Sequence, residues 1–261
     1  MIRTNPFGIG VSLLLIGCGG EQQALPAVAT RAPTPSPSIA EQVKAADVSV
    51  LYFGNSHTGI HNIPDLVGEM IRFKHPTKKY YQRYVGIGFL EDAARNPGHQ
   101  AEIDDHPWKF VVLQAQKISV SGKYKYSQKE GVTLAKSAKK RGAKALFFSE
   151  WGRRDVPKDG VVQESIYQEM ADAADIRVAP VGRAWDVALA EKPSLPLYAD
   201  DGNHESVVGA FLTASVFYGM LVDSDPAELA EFDYPAAKKE DRIVMANAAS
   251  KVWKQERAKR N

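Results

Sequence analysis

Val48-Ser-Val-Leu-Tyr-Phe-Gly-Asn-Ser-His-Thr58 opens on a nearly unbroken apolar run, residues 48–53, and stops at the turn Gly54-Asn55-Ser56. An apolar run of this length, closed by turn residues, is the pattern of a strand buried on both faces of a parallel sheet. The runs at 80–85, 110–113, 145–148 and 177–181 also read as strands, several of them short and nearly all apolar. Helical patterns at 63–74, 89–95, 127–141, 161–174 and 183–191 fall between and after them. Alternation of this kind predicts βα units and a three-layer α/β/α sandwich around a central parallel sheet of about five strands. Residues 206–221 are apolar on nearly every face and predict a buried helix. A basic helix at 238–258 closes the chain, with Ile243, Val244 and Trp253 able to pack inward. No internal repeat occurs at solenoid periods.

In such a sheet the functional crevice lies beyond the carboxyl ends of the strands. Gly54-Asn55-Ser56, Gly86-Ile87-Gly88, Gln114-Ala115-Gln116 and Glu150-Trp151 each follow a predicted strand directly, so these polar segments gather at one edge. Ser56 sits where a strand turns toward a helix, a place from which a hydroxyl can project and an N–H can face a developing oxyanion. By itself the turn reads equally well as an ordinary helix N-cap. Far downstream, Asp201-Gly-Asn-His204 puts a carboxylate and an imidazole three positions apart on one loop. Serine, histidine and carboxylate together are what nucleophilic acyl transfer needs.

Chain order adds to this. Ser56 precedes Asp201, which precedes His204, and the pattern resembles the SGNH/GDSL hydrolase superfamily, with a Gly-Asp/Asn-Ser turn after the first strand and an Asp-x-x-His motif near the C-terminus. The resemblance extends over most of residues 48–222 and includes Gly209 and the apolar helix after the motif. It implies a flavodoxin-like α/β/α fold and a serine esterase. Ser56 is then the nucleophile, His204 the base and Asp201 its orienting carboxylate, with oxyanion donors from Ser56 N–H, Gly88 N–H and the side chain of Gln116, Gln114 being the backup. The chain departs from the family at these glutamines, where the family has asparagine, and at Glu205, where a proline is frequent. The motifs leave open an O-acyltransferase, or a carbohydrate-binding envelope protein with an idle triad.

Residues 1–17 resemble a lipoprotein signal peptide: Arg3, a short apolar stretch, and Leu15-Ile16-Gly17-Cys18 at a lipobox. Cys18 is the sole cysteine of the 261 residues, so a lipid on it leaves no thiol for a disulfide, a nucleophile or a metal site. Residues 18–46 are rich in Pro, Ala and small polar residues and read as a linker, leaving 47–261 as one hydrolase-like domain. These features point to a cell-envelope protein anchored by lipid. A net charge of +2 gives no argument for a nucleic-acid partner, and the cluster Lys136, Lys139, Lys140, Arg141 and Lys144 reads as a solvated helix face. The sequence implies no cofactor and no metal, although His57 and His61 have an i, i+4 spacing. The expected partner is an ester substrate, such as an acetylated polysaccharide or peptidoglycan, met by a monomer.

Overall fold

The structure is a computed structural model that describes residues 36–119, 121, 123–156 and 158–259. Five parallel strands, β1 (Val48–Gly54), β2 (Tyr80–Gly86), β3 (Phe110–Leu113), β4 (Lys144–Phe148) and β5 (Arg177–Ala179), form one sheet in the order β2-β1-β3-β4-β5. This doubly wound order reverses direction between β1 and β3, which opens the crevice at their carboxyl ends.

Successive side chains of a strand point to opposite faces, so each central strand supplies both cores. Val48, Val50 and Tyr52 of β1 join one apolar cluster with α3 (Ile63–Lys74), α8 (Val181–Glu191), α9 (Val207–Val222) and α10 (Lys239–Ala258). Leu51 and Phe53 join the other with α1 (Ile39–Ala45), α4 (Leu90–Arg95), α5 (Pro97–Asp104), α6 (Lys129–Lys140) and α7 (Asp159–Ala174). The short α2 (Ser56–Gly59) lies at the end of β1. The architecture is therefore the expected three-layer α/β/α sandwich.

Several boundaries differ from the sequence reading, each for a local reason. β5 ends at Ala179 because Pro180 has no N–H to continue the ladder, and Val181 instead begins α8. Residues 39–45, read as linker, form α1: Ser38 and Glu41 make a reciprocal capping box and Val43 is fully buried. Residues 97–104 form α5, with Asn96 as N-cap and Pro97 in the first turn, so His99 lies on a helix and packs edge-on against Phe53. In α10, Trp253 is buried, but Ile243 faces solvent. Of the basic cluster, Lys139 pairs with Asp175 and Arg141 with Asp104, so it is not a bare cationic face. The signal peptide, Cys18 and most of the expected linker lie outside the described residues.

Helix α9 is apolar all round because it is enclosed by α3, α8 and α10. It reaches its depth through Gly209, where an added Cβ would lie 2.3 Å from the carbonyl oxygen of Leu197 and 2.9 Å from Cη2 of Trp185. Gly209→Ala therefore forces the helix away from the loop before it. It should lower the free energy of unfolding by about 1–3 kcal/mol in urea titrations, with an unchanged denaturant slope.

Candidate active site

The apolar run of β1 delivers the chain to a tight turn at the sheet edge. Asn55 caps α2 by accepting the His57 N–H at its Oδ1 (3.1 Å), and Ser56, the first residue of the helix, is exposed. Gly54 makes the turn possible: a Cβ there would lie 2.3 Å from Oγ1 of Thr58 and 2.6 Å from Oε1 of Gln114. The Tyr84 hydroxyl donates to the carbonyls of Gly54 (3.1 Å) and Asn55 (2.9 Å), tying β2 to the same turn.

Ser56 Oγ is 2.8 Å from Nε2 of His204, and Nδ1 of His204 is 2.5 Å from Oδ2 of Asp201. The carboxylate can only accept, so it fixes the imidazole as the Nδ1–H tautomer and leaves the Nε2 lone pair facing the serine. Oδ1 of Asp201 accepts the backbone N–H groups of Asn203 (2.9 Å) and His204 (3.0 Å). The hydrogen bond from His204, supported by these two N–H groups, holds the Asp201 carboxyl far below the usual carboxylate range. Asp201 therefore remains ionised throughout the working range of an imidazole base.

The core secures the loop that carries this pair. Trp151, stacked on Trp185 with ring centroids 4.1 Å apart, donates its indole N–H to the Asn203 carbonyl (2.9 Å). Arg154 reaches the same loop twice: its backbone N–H donates to Gly202 O (2.8 Å) and its guanidinium to Ala199 O. Gly202 takes the left-handed conformation at φ +68°, which closes the turn between Asp201 and His204. The supporting roles of Trp151 and Arg154 are not legible in the sequence, since both act through contacts to a segment about fifty residues away.

The glutamines after β3 are placed otherwise than the family pattern implies. Ala115 adopts φ +82°, and beyond this bend the amide nitrogen of Gln116 donates to the carbonyls of Lys117 (3.1 Å) and Ser127 (2.9 Å). Gln114 is fully buried beneath the serine turn; its Nε2 donates to Oδ1 of Asn55 (3.0 Å) and to the Glu150 carboxylate. Neither glutamine thus has an N–H left over for an oxyanion, a correction to the expectation for Gln116 and its backup. The N–H groups of Ser56 and Gly88, by contrast, donate to no protein group among the described residues. Gly88 is exposed directly before Phe89, which lines the site.

Asn55 and His57, the sequence neighbours of the serine, line a cavity of about 220 Å³ together with Phe89, Gln116, Glu150, Arg153 and Asn203, among others. Arg153 is held there by a bidentate pair with Asp159 (2.7 and 2.8 Å). His57 stacks on His204 at 4.9 Å, and Nε2 of His61 meets Glu205 O at 3.2 Å, so the two histidines serve the triad's surroundings and do not converge. No cluster of three or more His, Cys, Asp or Glu side chains suited to a metal occurs among the described residues. Glu205 is fully buried, and neither of its carboxyl oxygens has a side-chain partner among the described residues. Burial, together with the charges of Glu150 and Asp201, pushes its pKa up to about 8.

No known sequence-family model matches the chain, and no curated protein does. Solved structures do. A candidate SGNH hydrolase from Slackia heliotrinireducens superposes with a TM-score of 0.54 at 21% identity, over 66% of this chain and 97% of its own. A DUF4886 family protein from Bacteroides uniformis gives 0.62 at 14% identity, over 78% and 94%. The acetyl xylan esterase AlAXEase gives 0.51 at 14%, over 67% and 100%. The fold is that of the SGNH hydrolases.

Two outcomes follow from this geometry. Trp151→Phe keeps an aromatic ring in the stack but removes the donor to Asn203 O and part of the buried ring volume; it should cost about 1–3 kcal/mol in thermal or urea unfolding, one hydrogen bond plus the space the smaller ring leaves. The second concerns Glu205, whose native pKa of about 8 stands above its ordinary 4.5. Below pH 4.5 the carboxyl is neutral in both states; as pH rises toward 8 only the unfolded chain ionises, so the native state loses stability across that window. Glu205→Gln abolishes the titration. The Tm of the variant minus that of the wild type should climb steadily from pH 5 to pH 8, and a flat difference would contradict the buried neutral acid.

Proposed function

We propose that the protein is an extracytoplasmic serine esterase that removes a short acyl group, such as acetyl, from a hydroxyl of a carbohydrate, while anchored to the envelope through lipid on Cys18. The observation that carries the hydrolase reading is the continuous hydrogen-bonded line Ser56–His204–Asp201, at 2.8 and 2.5 Å, on a strand-end turn of an SGNH fold. A cavity of about 220 Å³ with Asn55, Glu150, Arg153 and Asn203 in its walls favours a small acyl group on a polar carrier over a long alkyl chain. The exposure of Ser56 favours a carrier too large to be enclosed. That an acetyl xylan esterase shares the fold is in keeping with this choice.

As Ser56 Oγ adds to the ester carbonyl carbon, its proton passes to Nε2 of His204 and the carbonyl electrons move onto oxygen. The Ser56 and Gly88 N–H groups are the backbone donors for that oxyanion. The imidazolium, steadied by Asp201, then protonates the departing alkoxide oxygen, leaving an acyl-serine. Water attacks this ester, giving one proton to His204; collapse releases the carboxylic acid and returns the proton to Ser56 Oγ.

Incubation of the protein with a fluorophosphonate should add one adduct, visible by intact mass spectrometry, and none to Ser56→Ala. On an acetylated sugar the same substitution should lower turnover by roughly four to six orders of magnitude. Absence of the adduct on folded wild type would discard the esterase reading and favour a glycan-binding module, to be checked by binding of non-acetylated polysaccharide.

A further inference from the structure

The orientation of two side-chain amides leaves one donor without a partner among the described residues. The backbone N–H of Asn55 can only donate, and it meets Gln114 at 2.7 Å, so the atom there is the amide oxygen, Oε1; the Thr58 hydroxyl donates to the same oxygen at 2.9 Å. The amide nitrogen of Gln114 therefore faces Asn55 at 3.0 Å and the Glu150 carboxylate on its other side. A donor on Gln114 requires the oxygen of Asn55 opposite it, and the His57 N–H at 3.1 Å requires the same. The Asn55 carboxamide is thus fixed by two independent donors, and its Nδ2 has no protein partner among the described residues. Asn55 is half-buried, lines the cavity and immediately precedes Ser56.

Resting on the esterase reading, we propose that the Nδ2–H of Asn55 is the side-chain donor of the oxyanion hole, completing it with the N–H groups of Ser56 and Gly88. It transfers no proton; it stabilises the negative charge that forms on the carbonyl oxygen when Ser56 Oγ adds. Both glutamines after β3 have their amide N–H groups committed to other acceptors, so the adjacent asparagine takes the place they leave open. Gln114 is then a positioning residue: two of its hydrogen bonds hold Asn55 in register, and the other two, with Thr58 and Glu150, fix the carboxamide that makes them.

Asn55→Asp keeps an acceptor for His57 and Gln114 and loses the donor; Asn55→Ala loses the donor without adding charge. Steady-state kinetics on an activated acetyl ester, with Gln116→Ala as comparator and thermal unfolding of each, tests the assignment. Both Asn55 variants should lose about 100- to 1000-fold in kcat with KM little changed, and react with a fluorophosphonate more slowly by a similar factor, while Gln116→Ala loses less than about tenfold. The proposal is overturned if either folded Asn55 variant keeps kcat within about threefold of wild type, if the loss falls on KM alone, or if Gln116→Ala loses as much. A wild type that neither hydrolyses the ester nor takes the probe overturns the esterase reading itself, and this role with it.

Discussion

The site depends on the buried carboxamide of Gln114. It touches the serine turn, the start of α2 and the end of β4 at once: its oxygen accepts from Asn55 N–H and Thr58 Oγ1, and its nitrogen donates to Asn55 Oδ1 and Glu150. All its hydrogen-bonding capacity is used inside the protein, in surroundings where an unpaired amide is costly and a satisfied one is rigid. Thr58 and Gln114 also occupy the space that any side chain at position 54 would need, so the glycine and the glutamine are one steric solution. The network continues from Glu150 to the Tyr167 hydroxyl, which in turn accepts the Gln116 N–H, linking the carboxyl ends of β1, β3 and β4 to α7.

His204 and Asp201 are held by different means. The Asp201 to His204 turn has little secondary structure of its own, and it is pinned by contacts from the core: the Trp151 indole, the Arg154 backbone, and the close pairing of Tyr198 with Glu205. Trp151 also lies 5.3 Å from the His57 ring, which stacks on His204, so an aromatic stack rooted in the core backs the His204 imidazole. Short loops over a rigid sheet leave Ser56, His204 and Asp201 both accessible and held in place. The buried Glu205 carboxyl next to the histidine, without a side-chain partner among the described residues, is a local sacrifice of stability at the site.

Much of this architecture is legible in the amino-acid sequence. Apolar runs mark β1, β3 and β4 to within a residue, because strands buried on both faces carry no alternation to blur their ends, whereas the edge strand β2 is only half-buried and carries Gln82 and Arg83. Helices α1 and α5 have start signals of their own, Ser38-Ile-Ala-Glu41 and Asn96-Pro97, but α1 sits in a stretch whose composition reads as linker and α5 in the gap between a predicted helix and strand, and composition averaged over a window hides a cap of three or four residues. Gln116 misleads because an offset counted from the end of a strand assumes an unbent chain, and Ala115 at φ +82° redirects it.

The sequence alone determined the α/β layering and the presence of a serine, an aspartate and a histidine at strand ends and on one loop, since periodicity and turn chemistry are local properties. Only the tertiary structure decided that Ser56 and His204, 148 positions apart, meet at 2.8 Å, and which carboxamide has an N–H to spare. Distances across the chain and the direction of an amide are set by what packs and bonds around them, and no local pattern encodes that.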